Sequence, residues 1–496
     1  MFQMAKKSEK TISKKKLSNN VAVIGFGVTG KSVAKFLTSR GHIVTVFESG
    51  KKDKFNPADL AKYSTVEFYF ETTDFDPKQF DYIVTSPGVS LESPVIVRAQ
   101  KMRIPVYNDL TLFIDEWRKK GGKIIGVTGS NGKTTTVSLL YEIIKQLTPA
   151  ILGGNIGNSP LDLLDIEYPR GVIAVLEISS NQLDLFGPAD YLDICVVTNL
   201  SSNHLDRYHG SMDEYAFAKL KGIDKNKTKT IICLDDIGTQ KHILPQLKCK
   251  NIYAVSFEQP VDQAIFSGIY TDESGNLIFA DVSNNGSGHA KDFPATENTL
   301  TNNFESEIVF DKTDKRRLIG LHNLYNIAFV LLTIILAEKE ITKKTTDAIR
   351  NFVGLEHRIE KVLEKKGVLF VNDSKSTSPD SIRVALEAVG KENNVLLIVG
   401  GDDKDMSFDF LAPIVAEKVK KMIITPGNIQ DKLTRLAKKS EVEFFCVDDL
   451  GGAVKLSHKN ASPGDVVLLS PGSYSKNIFK NYEDRGNQFK KIVMEL

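Results

Sequence analysis

Cysteine is scarce in this chain: Cys195, Cys233, Cys249 and Cys446 are the four found in 496 residues, and none forms a C-x-x-C pair. That spacing argues against a disulfide framework or a zinc site and fits a reducing, cytoplasmic setting. Long apolar runs are lacking too. None reaches the roughly 18–20 residues that a membrane span needs, and the longest candidate, 327–337, predicts a buried helix. Charge of one sign is also lacking. A net charge of +2 gives no electrostatic ground for nucleic acid or an anionic membrane as the main partner. The first twenty residues carry lysines at 6, 7, 10, 14, 15 and 16 but no apolar stretch of a secretory signal. They are expected to form a disordered basic tail over 1–19.

What is present is the balance of a soluble globular protein, 41% hydrophobic and 25% charged, in a chain too long for one ordinary core. Residues 20–24 read as a strand, 31–40 as a helix and 43–47 as a second strand, which makes a β-α-β unit. Another short strand, 81–85, is stopped by Ser86-Pro87-Gly88. The basic, glycine-bearing segment 118–123 reads as a linker. A second strand–glycine loop–helix unit begins at Lys123, with further strands at 172–176 and 194–198. The polar stretch 256–318, with β-like pieces at 268–270 and 277–279, reads as an antiparallel edge region with long loops. A third unit starts near Gly354, with strands at 368–371, 395–399, 422–424, 443–446 and 466–469. The expectation is an α/β protein of three domains. These are a Rossmann-like N-terminal domain over 20–115, a central P-loop ATPase-type domain with a mostly parallel sheet over 121–354, and a Rossmann-like C-terminal domain over 355–496.

Two glycine loops carry chemistry. Gly25-Phe26-Gly27-Val28-Thr29-Gly30 fits G-x-G-x-x-G between a strand and a helix, with Glu48-Ser49 just past the second strand. Such glycines let backbone N–H groups approach a diphosphate at a positive helix end, and the acidic residue suits a ribose or base edge. This motif alone leaves a nicotinamide-binding dehydrogenase domain open. The second loop, Gly126-Val127-Thr128-Gly129-Ser130-Asn131-Gly132-Lys133-Thr134-Thr135, departs from G-x-x-x-x-G-K-[ST] because Gly126 stands one residue early. Its chemistry is kept: backbone donors cradle phosphates, Lys133 reaches the β/γ oxygens, and the Thr134 hydroxyl can hold magnesium. ATP binding follows from it.

From this loop onward the sequence resembles the Mur ligase family of ATP-dependent amide-forming enzymes, over about residue 20 to the C-terminus. The motifs GVTGSNGKTTT, GGNIG at 153–157, LEISSNQLD at 176–184, SSNHLDRYHG at 201–210, HNLYN at 322–326, GLEHRIE at 354–360 and NDSKSTSPDS at 372–381 appear in the family's order. GGDDKDMSF at 400–408 and LLSPGSYSKNIFKNYEDRGNQF at 468–489 resemble the D-glutamate-adding branch, and the D-N-P-R motif of the diamino-acid-adding branch is absent.

The resemblance implies ATP and Mg2+ as cofactors, UDP-N-acetylmuramoyl-L-alanine and D-glutamate as substrates, and a monomer. By the same resemblance Gly129, Asn131, Gly132, Lys133, Thr134, Thr135, Asn323, Asn326, Arg358 and Asp373 serve the nucleotide. Glu177 and His204, with Thr134, match the metal ligands, and Lys219 matches a position carbamylated in the family. Gly25, Gly27, Val28, Thr29, Gly30, Glu48, Ser49, Ser86, Pro87, Gly88, Asn155, Ser179 and Gln182 fall at the UDP-substrate end. Lys375, Thr377, Lys404, Ser475 and Tyr482 fall at the D-glutamate end. Taken alone, Lys219 reads as a helix-surface lysine, Glu177 as a strand-end carboxylate and Tyr482 as a packed aromatic. Four departures from the family pattern are Asn203, Asn181, Gly50 and Gly472-Ser473-Tyr474; the last would reshape the amino-acid pocket. A sister ligase for another amino acid, and a regulator that binds nucleotide without turnover, are the alternatives.

Overall fold

The computed structural model describes residues 20–156, 159–202, 205–260, 264–282, 305–311, 317–318, 320–402, 406–474 and 478–496. The tail over 1–19, the stretch 283–304, and His204, Lys404 and Ser475 lie outside them.

The first sheet holds β1 (Asn20–Ile24), β2 (Ile43–Glu48), β3 (Glu67–Phe70), β4 (Tyr82–Thr85) and β5 (Val106–Tyr107), in the order β3-β2-β1-β4-β5. All its pairings are parallel. The order reverses between β1 and β4, and in such sheets ligands bind at the carboxyl ends of the strands flanking the reversal. The G-x-G-x-x-G loop and Ser86 sit there.

The second sheet has nine strands: β6 (Lys123–Thr128), β7 (Ala150–Gly154), β8 (Ile173–Glu177), β9 (Ile194–Val197), β10 (Lys229–Cys233), β11 (Ile252–Pro260), β12 (Gly268–Thr271), β13 (Leu277–Asp281) and β14 (Glu305–Phe310). Their order is β14-β13-β12-β11-β10-β9-β6-β8-β7. From β7 to β12 the neighbours run parallel, and β12 with β13 forms the expected antiparallel hairpin. β6, β8 and β9 read as unbroken apolar runs because helices cover both faces.

The linker expected over 118–123 is not one. The helix Asp109–Lys119 runs through Arg118, and β6 opens at Lys123. Basic residues in a last turn complement the helix dipole, so Arg118-Lys119-Lys120 marks a helix end. Arg118 pairs with Asp193 at 2.8 Å, and Trp117, fully buried, donates its indole N–H to the Lys123 carbonyl at 3.1 Å. One continuous apolar cluster joins Val21, Val33 and Phe26 of the first layer, through Leu110, Phe113 and Trp117, to Ile124, Ala174 and Leu176 of the second. The first two sheets thus belong to one compact unit, residues 1–309 with Phe329–Ile341.

Phe310–Ala328 and Thr342–Leu496 form the other unit. Its sheet holds β15 (Glu360–Lys365), β16 (Val368–Asn372), β17 (Val395–Gly400), β18 (Val419–Thr425), β19 (Glu443–Cys446) and β20 (Val466–Leu469), in the order β15-β16-β20-β17-β18-β19. The five expected strands are parallel; β15, which pairs antiparallel with β16, was not foreseen. Its sequence EKVLEK alternates weakly and only half-buries its side chains. Val371, Leu397 and Val399 pack on one face, and Phe370, Leu396 and Ile398 on the other. All but the last residue of the apolar run 327–337 lies in the helix Leu321–Leu336, whose residues 327–332 are buried. No helix among the described residues is long and apolar enough to cross a membrane.

Candidate active site

The nucleotide loop leaves β6 and enters the helix Lys133–Leu147, whose N-cap is Gly132 at φ +82°. Gly129 sits at φ +134°, and a Cβ there would lie 2.1 Å from Thr198 Oγ1. No other residue satisfies both constraints. The segment after β9 buttresses the loop. Asn199 Oδ1 accepts the Asn131 N–H at 2.9 Å, Thr198 Oγ1 donates to the Asn131 carbonyl at 2.6 Å, and Ser130 Oγ accepts the Ser201 N–H at 2.9 Å. Thr134 and Thr135 are buried in the helix's first turn. The N-terminus of that helix follows directly on the loop, the usual seat of a phosphate.

Two lysines converge on one carbonyl. Lys133 Nζ donates to Gly129 O at 2.9 Å and to Ser130 O at 2.9 Å, and Lys219 Nζ donates to the same Gly129 O at 3.0 Å. Lys219 is not a surface residue as its helical pattern suggested: it is 1% exposed. It lies on the helix Met212–Leu220, with Nζ 4.3 Å from the Tyr215 ring centroid. Burial first, and the Lys133 cation second, hold its pKa well below the ordinary lysine range.

Glu177 ends β8, the neighbour of β6, with Val127 opposite it in register. It is 4% exposed. Its Oε1 accepts the Asn155 side-chain amide at 3.1 Å, while Oε2 is buried with no hydrogen-bond partner among the described residues. Asn155 also donates its backbone N–H to the Glu177 carbonyl at 2.7 Å. Ser179 and Gln182 close a capping box on the helix Ser180–Leu183, so the Gln182 side chain is engaged by its own helix. His204 lies outside the described residues. Among those described, no three His, Cys, Asp or Glu side chains are grouped to hold a metal.

In the first sheet Gly25 has φ +90°, and a Cβ on Gly30 would stand 1.9 Å from the Gly25 carbonyl oxygen. A Cβ on Gly27 would meet nothing within 4 Å, and Val28 beside it is exposed, so this turn of backbone is open to a ligand. Thr29 follows in the first turn of the helix Val28–Thr38. Glu48 folds back over the loop. Its Oε2 accepts the Phe26 N–H at 2.7 Å, and its Oε1 accepts the Gly50 N–H at 2.7 Å and the Ser49 hydroxyl at 3.3 Å. Ser86 Oγ, after β4, is buried beside Gly25 with no hydrogen-bond partner among the described residues. Pro87 and Gly88 carry the turn that follows.

In the second unit Asn323 and Asn326 are buried one helical turn apart and hydrogen-bonded to each other at 3.0 Å. Arg358 has a buried Nε with no hydrogen-bond partner among the described residues. Asp373, after β16, accepts from Ser470 Oγ at 2.8 Å and from the Ile359 N–H at 3.2 Å. Burial raises its pKa to about 7 despite these bonds and the Arg358 and Arg485 cations. Burial, with Arg358 second, also drops His322 to about 4, so it is neutral at physiological pH. Lys375 Nζ lies 5.6 Å from the Tyr482 ring centroid, and Thr377 follows two residues on. Tyr482 is half-buried, not a packed core aromatic, and its carbonyl accepts the Ser374 hydroxyl at 2.8 Å. Sequence reasoning passed over Arg485. It lay inside the quoted motif, but nothing in the sequence distinguishes a buried arginine from a solvated one on an otherwise polar helix.

Residues 19–108 match the model described as Mur ligase MurD-like, N-terminal domain. Residues 127–334 match the Mur ligase middle domain, and 357–472 the Mur ligase, glutamate ligase domain. The UDP-N-acetylmuramoylalanine--D-glutamate ligase of Acetivibrio thermocellus is 32% identical, with 97% of each chain covered. That of Acidobacterium capsulatum is 34% identical, with 96% of each covered. The crystal structure of UDP-N-acetylmuramate-alanine ligase from Thermotoga maritima shares the fold at a TM-score of 0.54 and 18% identity, covering 96% of this chain and 99% of that one. With matches to all three family domains and full-length relatives above 30% identity, the chain belongs to the Mur ligase family.

Proposed function

We propose that this chain joins D-glutamate to the L-alanyl carboxylate of UDP-N-acetylmuramoyl-L-alanine, using ATP and acting as a cytoplasmic monomer in peptidoglycan precursor synthesis. The observation that carries the ATP step is the pair Lys133 and Lys219 on one carbonyl, beside a strand end where Glu177 keeps a buried oxygen with no hydrogen-bond partner among the described residues. The substrate's UDP end is assigned to the domain over 20–115, ATP to 121–354 and D-glutamate to 355–496.

A carboxylate is a poor acyl donor because oxide does not leave. Its oxygen therefore takes the γ-phosphoryl group of ATP, the bridging P–O bond breaks, and ADP departs. The amine of D-glutamate then attacks the acyl carbon, the C–O bond breaks with phosphate as the leaving group, and the amine proton is lost. Such a site must offset clustered phosphate charge, exclude water and orient the amine. Lys133, the loop N–H groups and the helix end supply the first of these. Asn323 and Asn326 of the central domain and Arg358 and Asp373 of the C-terminal domain are assigned to the rest of the nucleotide, and Lys375, Thr377, Lys404, Ser475 and Tyr482 to the amino acid.

The residues fit Mg2+. Thr134, Glu177, His204 and Lys219 would hold it, and an uncompensated buried carboxylate oxygen is a hard ligand suited to that ion. When bound, the ion supplies electrostatic stabilisation of phosphate charge. Lys219 joins this set only as an anion. Burial and the Lys133 cation favour its neutral amine over the ammonium, and that neutral form would add to carbon dioxide: a C–N bond forms, one C–O π pair moves to oxygen, and the N–H proton is released. The resulting carbamate offers two oxygens where an ammonium offers none.

The test is ADP release with the UDP-sugar substrate and a panel of amino acids. D-Glutamate is expected to support turnover at least about tenfold better than L-lysine, meso-diaminopimelate or L-alanine, a discrimination of roughly 1.4 kcal/mol. Equal turnover with any of these would discard the amino-acid assignment.

A further inference from the structure

Three loops at the carboxyl ends of β16, β17 and β20 meet around a single guanidinium. Arg485 sits in the first turns of the helix Tyr482–Met494, yet it is only 3% exposed. Its Nε donates to Ser374 Oγ at 3.0 Å, and its Nη2 donates to Ser374 O at 2.8 Å and to Ser473 O at 3.2 Å. Nη1 lies 3.7 Å from where a Cβ on Gly401 would stand. No ion pair holds it among the described residues. Burial lowers its pKa only to about 10, so it stays charged at neutral pH.

The loops are also tied to one another. Asp402 and Tyr474 exchange backbone hydrogen bonds at 3.1 and 2.9 Å. Ser473 Oγ donates to Gly400 O at 2.6 Å, the Gly472 N–H to Ser376 O at 3.1 Å, and Ser374 Oγ to the Tyr482 carbonyl at 2.8 Å. A buried cation satisfied by two main-chain carbonyls and a hydroxyl contributes little as a charge pair. What it does is fix the separation of the chain segments that own those acceptors.

We propose that Arg485 is the positioning residue of the amino-acid end. It touches no substrate; it sets the spacing between the segment bearing Lys375 and Thr377, the ends of the loops after β17 and β20 at Asp402 and Tyr474, and Tyr482. D-Glutamate carries two carboxylates, and donors drawn from three loops must match both at once. A shift of one loop therefore costs amino-acid affinity before it costs phosphoryl transfer. The inference rests on the reading of those five residues as the D-glutamate end.

The planar fork is needed because one ammonium cannot reach three divergent acceptors. In Arg485→Lys, KM for D-glutamate is expected to rise about tenfold or more. KM for ATP and for the UDP-sugar substrate, and kcat at saturating D-glutamate, should stay within about threefold. A merely structural role would lower the active fraction, and so kcat, with all three KM values unchanged; that result, or equal rises in every KM, overturns the proposal. Should Arg485→Lys not fold, Ser374→Ala removes one of its acceptors together with the hydrogen bond to the Tyr482 carbonyl, and an unchanged D-glutamate KM there overturns it as well. Thr377→Val separates the two ideas. If it raises the D-glutamate KM and Arg485→Lys does not, the amino-acid end stands and the role of Arg485 falls. If neither does, both fall. If only Arg485→Lys does, the positioning role stands and Thr377 leaves the set.

Discussion

Lys219 is the side chain whose environment changes most between its helical pattern and its place in the fold. Truncation to alanine removes a buried stem packed on Tyr215, so Lys219→Ala is expected to melt a few degrees lower, a loss of about 1–2 kcal/mol. Its turnover is expected to fall at least about 100-fold, some 2.7 kcal/mol of barrier. Excess acetate should restore part of it, and 13C-bicarbonate should give the wild type a carbamate NMR signal that the variant lacks. Wild-type turnover in the variant would end the idea. Asp373 makes a second prediction at this scale. Its folded pKa stands at about 7 against 3.8 ordinarily, so between these pH values the folded state keeps a proton that the unfolded state has lost. Its contribution to stability is complete below about pH 4 and is lost as pH rises through 7, to a total on the order of 4 kcal/mol. Urea midpoints of the C-terminal unit should decline over that window and then level off. Asp373→Asn, which still accepts the Ile359 N–H, should flatten the decline.

Turns and strand ends make up the site, and glycine sorts them into two kinds. Gly30→Ala drives a methyl into the Gly25 carbonyl, and Gly129→Ala meets both Thr198 and a left-handed φ. Each is expected to cost about 3 kcal/mol or more, read as a fall in the melting temperature of the first unit. Gly27→Ala meets nothing, so its melting temperature should hold while KM for the UDP-sugar substrate rises. A large stability loss there would show that the turn serves packing and not a ligand. The two glycine loops were legible because their glycines and lysine recur at spacings dictated by backbone geometry. So were most central strands, since burial on both faces leaves unbroken apolar runs. β15 was not, because an edge strand half exposed to water has no such run. The Arg118–Lys123 segment was misread because a helix end and a linker share basic residues and glycine. Lys219 and Arg485 were hidden for a third reason: the burial of one charged side chain depends on what packs over its helix, which local sequence does not contain.

Across the whole molecule three sheets resolve into two compact units. In the first unit the apolar cluster is continuous, and polar contacts reinforce it. Asn108 donates to the Gln182 carbonyl at 2.7 Å, Ser159 to Asp109 at 2.9 Å, and Ser32 to Asp162 at 2.8 Å. Scanning calorimetry should therefore show two transitions and not three. The UDP-sugar substrate should raise the one that contains the first two sheets together. A separate early transition for residues 20–108 would contradict the shared core. That shared core bears on how such enzymes can be recombined. A chimaera joined at the end of the first sheet, near residue 108, would take its donor's β-α-β layer but leave behind Leu110, Phe113 and Trp117, the side chains on which that layer rests. Exchanging this layer between relatives thus requires moving the seam past the helix Asp109–Lys119, so that the graft brings its own floor.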